Sequence, residues 1–103
     1  MNAFLENKVD DIKTICEKNG VEALFLFGSA LAENMSEQSD VDLAVVFKKE
    51  LTPLERGDAF FEVLGSLEKL LNKRIDLISY NVIKNPIFKQ EVDNTKVSLY
   101  AAA

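Results

Sequence analysis

The sequence contains no histidine, and Cys16 is its single cysteine. A lone cysteine cannot form a disulfide within the chain, and a Cys–His nucleophile is excluded because there is no histidine. We therefore predict that Cys16 is a buried core residue. Sparse cysteine is typical of the reducing cytoplasm, where we expect the protein to reside.

Long apolar runs are also lacking. No segment approaches the ~20 apolar residues that a membrane-spanning helix needs, and the N-terminus lacks the basic and apolar regions of a signal peptide. We therefore expect no membrane association. The 103 residues fit one domain. We assign that domain to residues 1–100 and interpret residues 101–103, Ala-Ala-Ala, as the remnant of a cloning linker.

Basic residues are outnumbered, with 12 Lys and Arg against 17 Asp and Glu and a net charge of −5. Such a chain repels nucleic acid at long range, so no direct nucleic-acid partner is expected. A nucleotide substrate would have to be held by metal ions and local groups. A domain this small buries only a modest core, so association with a partner or with further copies stays open.

Helical periodicity appears in three segments. We predict a helix over residues 4–18, where apolar side chains recur at helical spacing. A second helix is predicted over Pro53–Leu71, because Thr52 can cap it and Glu55 can complete a capping box. Residues 81–93 are predicted to be helical, with a break or restart at Asn85-Pro86.

Short apolar segments alternate with these helices. Strands are predicted over Val21–Phe27, Val41–Phe47 and residues 74–80. Residues 97–100 could form a last short strand or a loose end, residues 30–33 one helical turn, and residues 34–39 a polar loop. This order predicts an α/β (α+β) fold, a mixed β-sheet with helices packed on it.

Gly28-Ser29 follows the first predicted strand. Alone, the pair could be any strand-to-helix turn, because glycine accepts tight backbone conformations and serine caps helices. Its functional interpretation is that backbone N–H groups and the Ser29 hydroxyl face a helix start and bind phosphate oxygens.

Three aspartates accompany the next two strands. Strand alternation places Asp40 and Asp42 on one face, where two carboxylates repel each other unless a cation lies between them or one is protonated. Asp76 could face solvent on an edge strand. If the second and third strands are neighbours, it can instead converge with the other two, as a two-metal site for phosphoryl transfer requires.

The spaced combination of Gly-Ser, Asp-x-Asp and a third Asp on a later strand resembles the nucleotidyltransferase superfamily that includes DNA polymerase beta. Its minimal prokaryotic members, the MNT proteins, are the nearest likeness, and the resemblance covers nearly the whole chain. It implies that Gly28 and Ser29 grip the phosphates of a nucleoside triphosphate such as ATP. It also implies that Asp40, Asp42 and Asp76 are the catalytic and Mg²⁺-binding residues.

The resemblance further implies a partner. MNT proteins are typically paired with a helical HEPN protein, an RNase toxin, which the MNT antitoxin neutralises, in some systems by transferring AMP to a tyrosine. An acceptor from another chain also suits the length of this one, since larger nucleotidyltransferases carry a separate acceptor-binding domain.

Two positions depart from the family pattern. Many relatives have a basic residue directly after Gly-Ser and a glycine three positions later, where this chain has Ala30 and Glu33. These departures weaken phosphate binding and favour an alternative, a binding module that neutralises its partner by contact. A further alternative is a subunit that modifies small molecules, as antibiotic-modifying members of the superfamily do.

Overall fold

A computed structural model of the chain describes residues 3–28 and 40–102. The helices are α1 (Ala3–Glu6), α2 (Val9–Lys18), α3 (Pro53–Leu71) and α4 (Pro86–Thr95). The strands are β1 (Val21–Phe27), β2 (Val41–Phe47), β3 (Ile75–Ser79) and β4 (Val97–Ala101), and a 3₁₀ turn covers Tyr80–Val82. In the described parts of the chain, no helix has both the length and the apolar composition that a membrane crossing needs.

The four strands form one mixed sheet in the order β3-β2-β1-β4. Strand β1 is antiparallel to both β2 and β4, whereas β2 and β3 are parallel. A parallel pair needs a crossover connection, which α3 provides. The predicted fold, helices packed on a mixed sheet, is confirmed.

Helix α3 begins and ends at the predicted residues. The Glu55 backbone N–H donates to Thr52 Oγ1 at 3.2 Å, and the Thr52 backbone N–H donates to Glu55 Oε1 at 2.8 Å. These bonds satisfy backbone donors that the first turn leaves without helical partners. Asn72, in the left-handed conformation with φ 52°, ends the helix.

The two faces of the sheet carry different helices. Helices α2 and α3 cover one face and enclose the larger core, whose buried members include Ile12, Leu24, Leu43 and Leu67. Cys16 is also buried there, as predicted, and burial, followed by the nearby Glu17 charge, raises the pKa of its thiol to about 12. On the opposite face, a smaller cluster lies beneath α4: Phe27, Ala44 and Val92.

Two predicted helices differ in extent from the structure. The helix over residues 4–18 is interrupted, with α1 ending at Glu6 and α2 beginning at Val9. Of the helix predicted over residues 81–93, only the part that begins at Pro86, the predicted point of restart, is present in α4, which continues to Thr95. The Asn85 side chain accepts hydrogen bonds from the backbone N–H groups of Ile87 and Phe88, so it caps α4 and fixes its start.

Ala101 and Ala102, which the sequence interpretation left outside the domain, take part in the sheet, and Ala103 lies outside the described residues. Residues 97–100 form a strand that extends to Ala101, and Ala101 pairs with Ala23. The Ala102 backbone N–H donates to the Glu22 carbonyl at 2.8 Å. Strands are predicted from β-branched and aromatic side chains, which an alanine run lacks. The backbone of such a run can still pair, because strand hydrogen bonds need no particular side chain. The predictions for residues 30–33 and 34–39 lie outside the described residues.

Candidate nucleotide-binding site

A cavity of about 500 Å³ opens at the end of the sheet where β1 finishes and where β2 and β3 begin. One wall comes from the strands and their ends, and the other comes from α4. Its lining residues are Phe27, Gly28, Asp42, Asp76, Ile78, Phe88, Glu91 and Thr95. Among the described residues, the cavity therefore combines Gly28, a predicted phosphate-binding residue, with Asp42 and Asp76.

Strand register brings the two aspartates side by side. Asp42 pairs with Phe27 across the antiparallel β1–β2 ladder and with Asp76 across the parallel β2–β3 ladder. Neighbouring strands lie about 4.8 Å apart, and aligned residues point to the same face. Asp42 and Asp76 therefore share the face that α4 partly covers, because the second and third strands are neighbours.

Gly28 is fitted closely against Asp42. Its φ is +71°, a left-handed conformation that favours glycine. A Cβ at this position would lie 2.5 Å from Asp42 Oδ2, so the absent side chain leaves the room that the carboxylate occupies. Ser29, the other predicted phosphate-binding residue, lies outside the described residues, as do Ala30 and Glu33.

Asp40 does not line the cavity. It is exposed and precedes the first residue of β2, whose backbone N–H donates to the Arg74 carbonyl at 3.0 Å. Because Asp40 lies before the paired part of the strand, strand alternation does not fix its direction. Within residues 3–28 and 40–102, no group of three or more acidic, histidine or cysteine side chains is placed to hold a metal ion.

The α4 wall was not foreseen from the sequence. Phe88, Glu91 and Thr95 follow one another at spacings of three and four residues, so they lie on one face of the helix. Phe88 makes an edge-to-face contact with Phe27 at a centroid distance of 6.0 Å. The helical spacing alone could have grouped the three residues. The spacing does not predict the packing that turns this face of α4 toward the aspartates.

Polar and cation–π contacts hold the other flank of α4. The Tyr80 hydroxyl donates to Asp93 Oδ1, and the Lys96 ammonium lies 2.9 Å from the same oxygen. The Tyr80 bond, followed by that of Lys96, lowers the pKa of Asp93. Lys96 also lies over the rings of Phe25 and Tyr80, 5.1 and 4.9 Å from their centroids. These contacts tie α4 to β1 and to the turn after β3.

The charge of the cavity limits what it can bind. Within residues 3–28 and 40–102, its charged lining residues are Asp42, Asp76 and Glu91, all acidic. A phosphate chain would be repelled by this wall unless a cation accompanied it. Two neighbouring carboxylates, with phosphate and water, form the kind of donor set that Mg²⁺ prefers. The arrangement therefore suits a metal–nucleotide complex better than a free nucleotide.

Residues 10–103, which include this glycine and the paired aspartates, match the family model described as Polymerase beta, Nucleotidyltransferase. The chain belongs to this family. Its relatives include the protein adenylyltransferase MntA of Thermococcus cleftensis, which is 35% identical over 77 residues, covering 75% of this chain and 74% of the relative.

Solved structures share the fold. A crystal structure of a toxin–antitoxin with AMP-PNP superposes with a TM-score of 0.69 at 22% identity, over 91% of this chain and 73% of that one. A structure of a tri-AMPylated Shewanella oneidensis HEPN toxin in complex with an MNT antitoxin gives a TM-score of 0.65 at 21% identity, over 94% and 72% of the two chains.

Proposed function

We propose that this chain is a Mg²⁺-dependent protein adenylyltransferase that transfers AMP from ATP to a tyrosine hydroxyl of a HEPN-type toxin and thereby acts as its antitoxin. The observation that carries the proposal is the placement of Gly28, Asp42 and Asp76 on one cavity. The MntA relative is named a protein adenylyltransferase. The structural neighbours are described with AMP-PNP in one case and with an AMPylated HEPN toxin in the other.

In this reaction the acceptor oxygen attacks the α-phosphorus in line, and pyrophosphate leaves as the bond to the bridging oxygen breaks. Gly28 and Ser29 would hold the β- and γ-phosphates through backbone N–H groups and the Ser29 hydroxyl. Asp76 is exposed, so an acceptor side chain from another protein can reach it. Asp76 would accept the proton of the attacking hydroxyl. Catalysis would be mostly positioning and charge neutralisation.

Asp42 and Asp76 would hold Mg²⁺, with Asp40 as a further ligand. When bound, the ion would neutralise phosphate charge and polarise the acceptor hydroxyl. The donor set fits because carboxylate oxygens are hard ligands and because the Asp42 carboxylate lies over Gly28, beside the expected phosphates. Calorimetric titration of ATP with and without Mg²⁺ tests this assignment, since binding should require the ion and weaken in Asp40→Asn, Asp42→Asn and Asp76→Asn.

The transfer itself is tested with ATP labelled at the α-phosphate, Mg²⁺ and a HEPN-domain toxin encoded in the same genome. We expect label on the toxin with the original chain and with Asp58→Asn, a control at an exposed position of α3. The Asp42→Asn variant should give none. Absence of label with every variant, while the toxin remains active, would refute the proposal.

A contact antitoxin is the second candidate, and the acidic wall of the cavity favours it. Glu91 lies on the cavity beside two aspartates, a poor environment for a triphosphate in the absence of cations. In this case the Asp42→Asn variant would neutralise the toxin as well as the original chain does, and no label would be transferred. The same experiment therefore separates the two functions.

A further inference from the structure

A second cavity, of about 400 Å³, lies at the other end of the sheet and on the other face. It is enclosed by the carboxyl ends of the parallel strands β2 and β3, by the turn after β3 and by the first turns of α3. Crevices at the carboxyl ends of parallel strands are frequent binding sites in open sheets. The residues that matter here are Phe47, Lys49, Arg56, Gly57, Phe61 and Val82.

Bulky apolar side chains are exposed around this cavity. Phe61 and Val82 line it, with 72% and 66% of their surfaces exposed. Leu54, which is 77% exposed, shares the helix face of Gly57 and Phe61 because they are three and seven residues further along. Phe60 holds the Phe61 ring by an edge-to-face contact at 5.7 Å. The exposed rim extends past the cavity, which favours a protein segment over a small enclosed molecule.

The charged side chains of this cavity are both basic. In the part of the chain that the structure describes, Lys49 and Arg56 line it and no acidic residue does, although the chain has a net charge of −5. The Arg56 guanidinium donates to the Lys49 backbone carbonyl at 3.4 Å, which holds it on the same side of the cavity. Two cations beside an apolar floor complement an anionic ligand that also carries an apolar group.

We propose that this cavity, the α3 cavity, is a docking site for an acidic segment of a partner protein, in which a bulky apolar side chain stands next to carboxylates. The apolar side chain would enter between Phe47 and Phe61, and the carboxylates would face Lys49 and Arg56. The site is separate from the aspartate cavity, so the proposal does not depend on nucleotidyl transfer.

Gly57 provides a way to close the α3 cavity without unfolding the protein. A Cβ added there meets no atom within 4 Å, and leucine has a higher helix propensity than glycine. Gly65 in the same helix is equally open but does not line the cavity. Gly57→Leu and Gly65→Leu are therefore a blocking variant and its matched control.

The test is selection from a displayed library of random dodecapeptides against the protein, followed by titration of the enriched peptides and mapping of backbone amide shifts. We expect peptides with acidic residues beside a large apolar one, and shifts around Lys49, Arg56 and Val82. Affinity should fall roughly tenfold in Gly57→Leu and in Arg56→Glu, as when one well-packed contact is lost. Gly65→Leu should bind as the original chain does.

Three outcomes would overturn the proposal. Enriched peptides without acidic residues would remove the role of the two cations. Equal affinity for the Gly57→Leu variant, or shifts centred on Asp76, would place binding elsewhere. Concentration-dependent dimers that disappear in Gly57→Leu, measured by sedimentation, would show that a second copy of this chain occupies the α3 cavity.

Discussion

The two faces of the sheet are packed to different degrees, and the weaker face carries the candidate nucleotide site. Helix α3 buries a row of four side chains in the larger core: Ala59, Val63, Leu67 and Leu71. Helix α4 buries Val92 alone, within the smaller cluster. Because burial of apolar surface dominates stability, α4 is expected to open at a lower free energy than α3. A wall that opens readily suits the proposed function, in which the cavity admits a nucleotide and an acceptor.

The largest effect is expected from the two ends of β1, where Gly20 and Gly28 both have positive φ, 69° and 71°. In Gly28→Ala the new Cβ meets Asp42 Oδ2 at 2.5 Å, so the carboxylate is displaced. We expect adenylyl transfer to fall about hundredfold, as for misplaced catalytic groups, measured as kcat/KM with ATP.

Gly20→Ala is the matched control. Its Cβ would meet the end of the Leu51 side chain at 2.8 Å, far from the aspartates. Both variants should lose about 1 kcal/mol of stability through backbone strain, but Gly20→Ala should keep its activity. Equal activity in the two variants would show that the fit between Gly28 and Asp42 has no part in the reaction.

The sequence predicted much of the local structure because the signals were local. The bounds of β1, β2 and α3 follow from the spacing of apolar residues along the sequence and, for α3, from the capping residues. The approach of Asp42 to Asp76 required one further condition, that β2 and β3 are neighbours, and the structure satisfies it.

What could not be predicted depends on packing between distant segments. The orientation of α4, and with it the position of Phe88 and Glu91 on the cavity, depends on the packing of Val92 against the sheet and on the bond from Tyr80 to Asp93. Asp40 shows the same limit, since alternation holds only within the paired strand. The α3 cavity was missed because its residues come from three separate segments.

Two substitutions of the same residue type, one on each face of the sheet, test the difference in packing between the faces. Val63 and Val92 are both fully buried, but Val63 belongs to the larger cluster. We expect Val63→Ala to lower the free energy of unfolding by about 2.5 kcal/mol and Val92→Ala by about 1.5 kcal/mol. Denaturant titration measures both values. A larger loss for Val92→Ala would reverse the proposed order of the two faces.

Because Cys16 is buried on the face covered by α2 and α3, the pH dependence of the free energy of unfolding reports on the packing of that face. Its thiol pKa rises from 9.0 to about 12 on folding, so the unfolded chain loses the proton first. Stability from this group is intact below pH 9 and declines as the pH rises toward 12, by about 1.4 kcal/mol at pH 10. The Cys16→Val variant should lack this part of the decline. Parallel pH profiles for the two proteins would contradict the burial of the thiol.

The smallest expected effect compares the helix caps of the two faces. Asn85→Ala removes the cap of α4 and Thr52→Ala that of α3, and each loses about 1 kcal/mol of intrinsic helix stability. Because α3 is held by the larger core, Thr52→Ala should change hydrogen exchange only through global unfolding. In Asn85→Ala the amides of α4 should exchange faster while those of the rest of the molecule do not, since few buried contacts oppose local opening of this helix. Exchange that accelerates equally throughout the molecule in both variants would show that α4 opens only with the whole fold, and that the nucleotide cavity is as rigid as the core behind it.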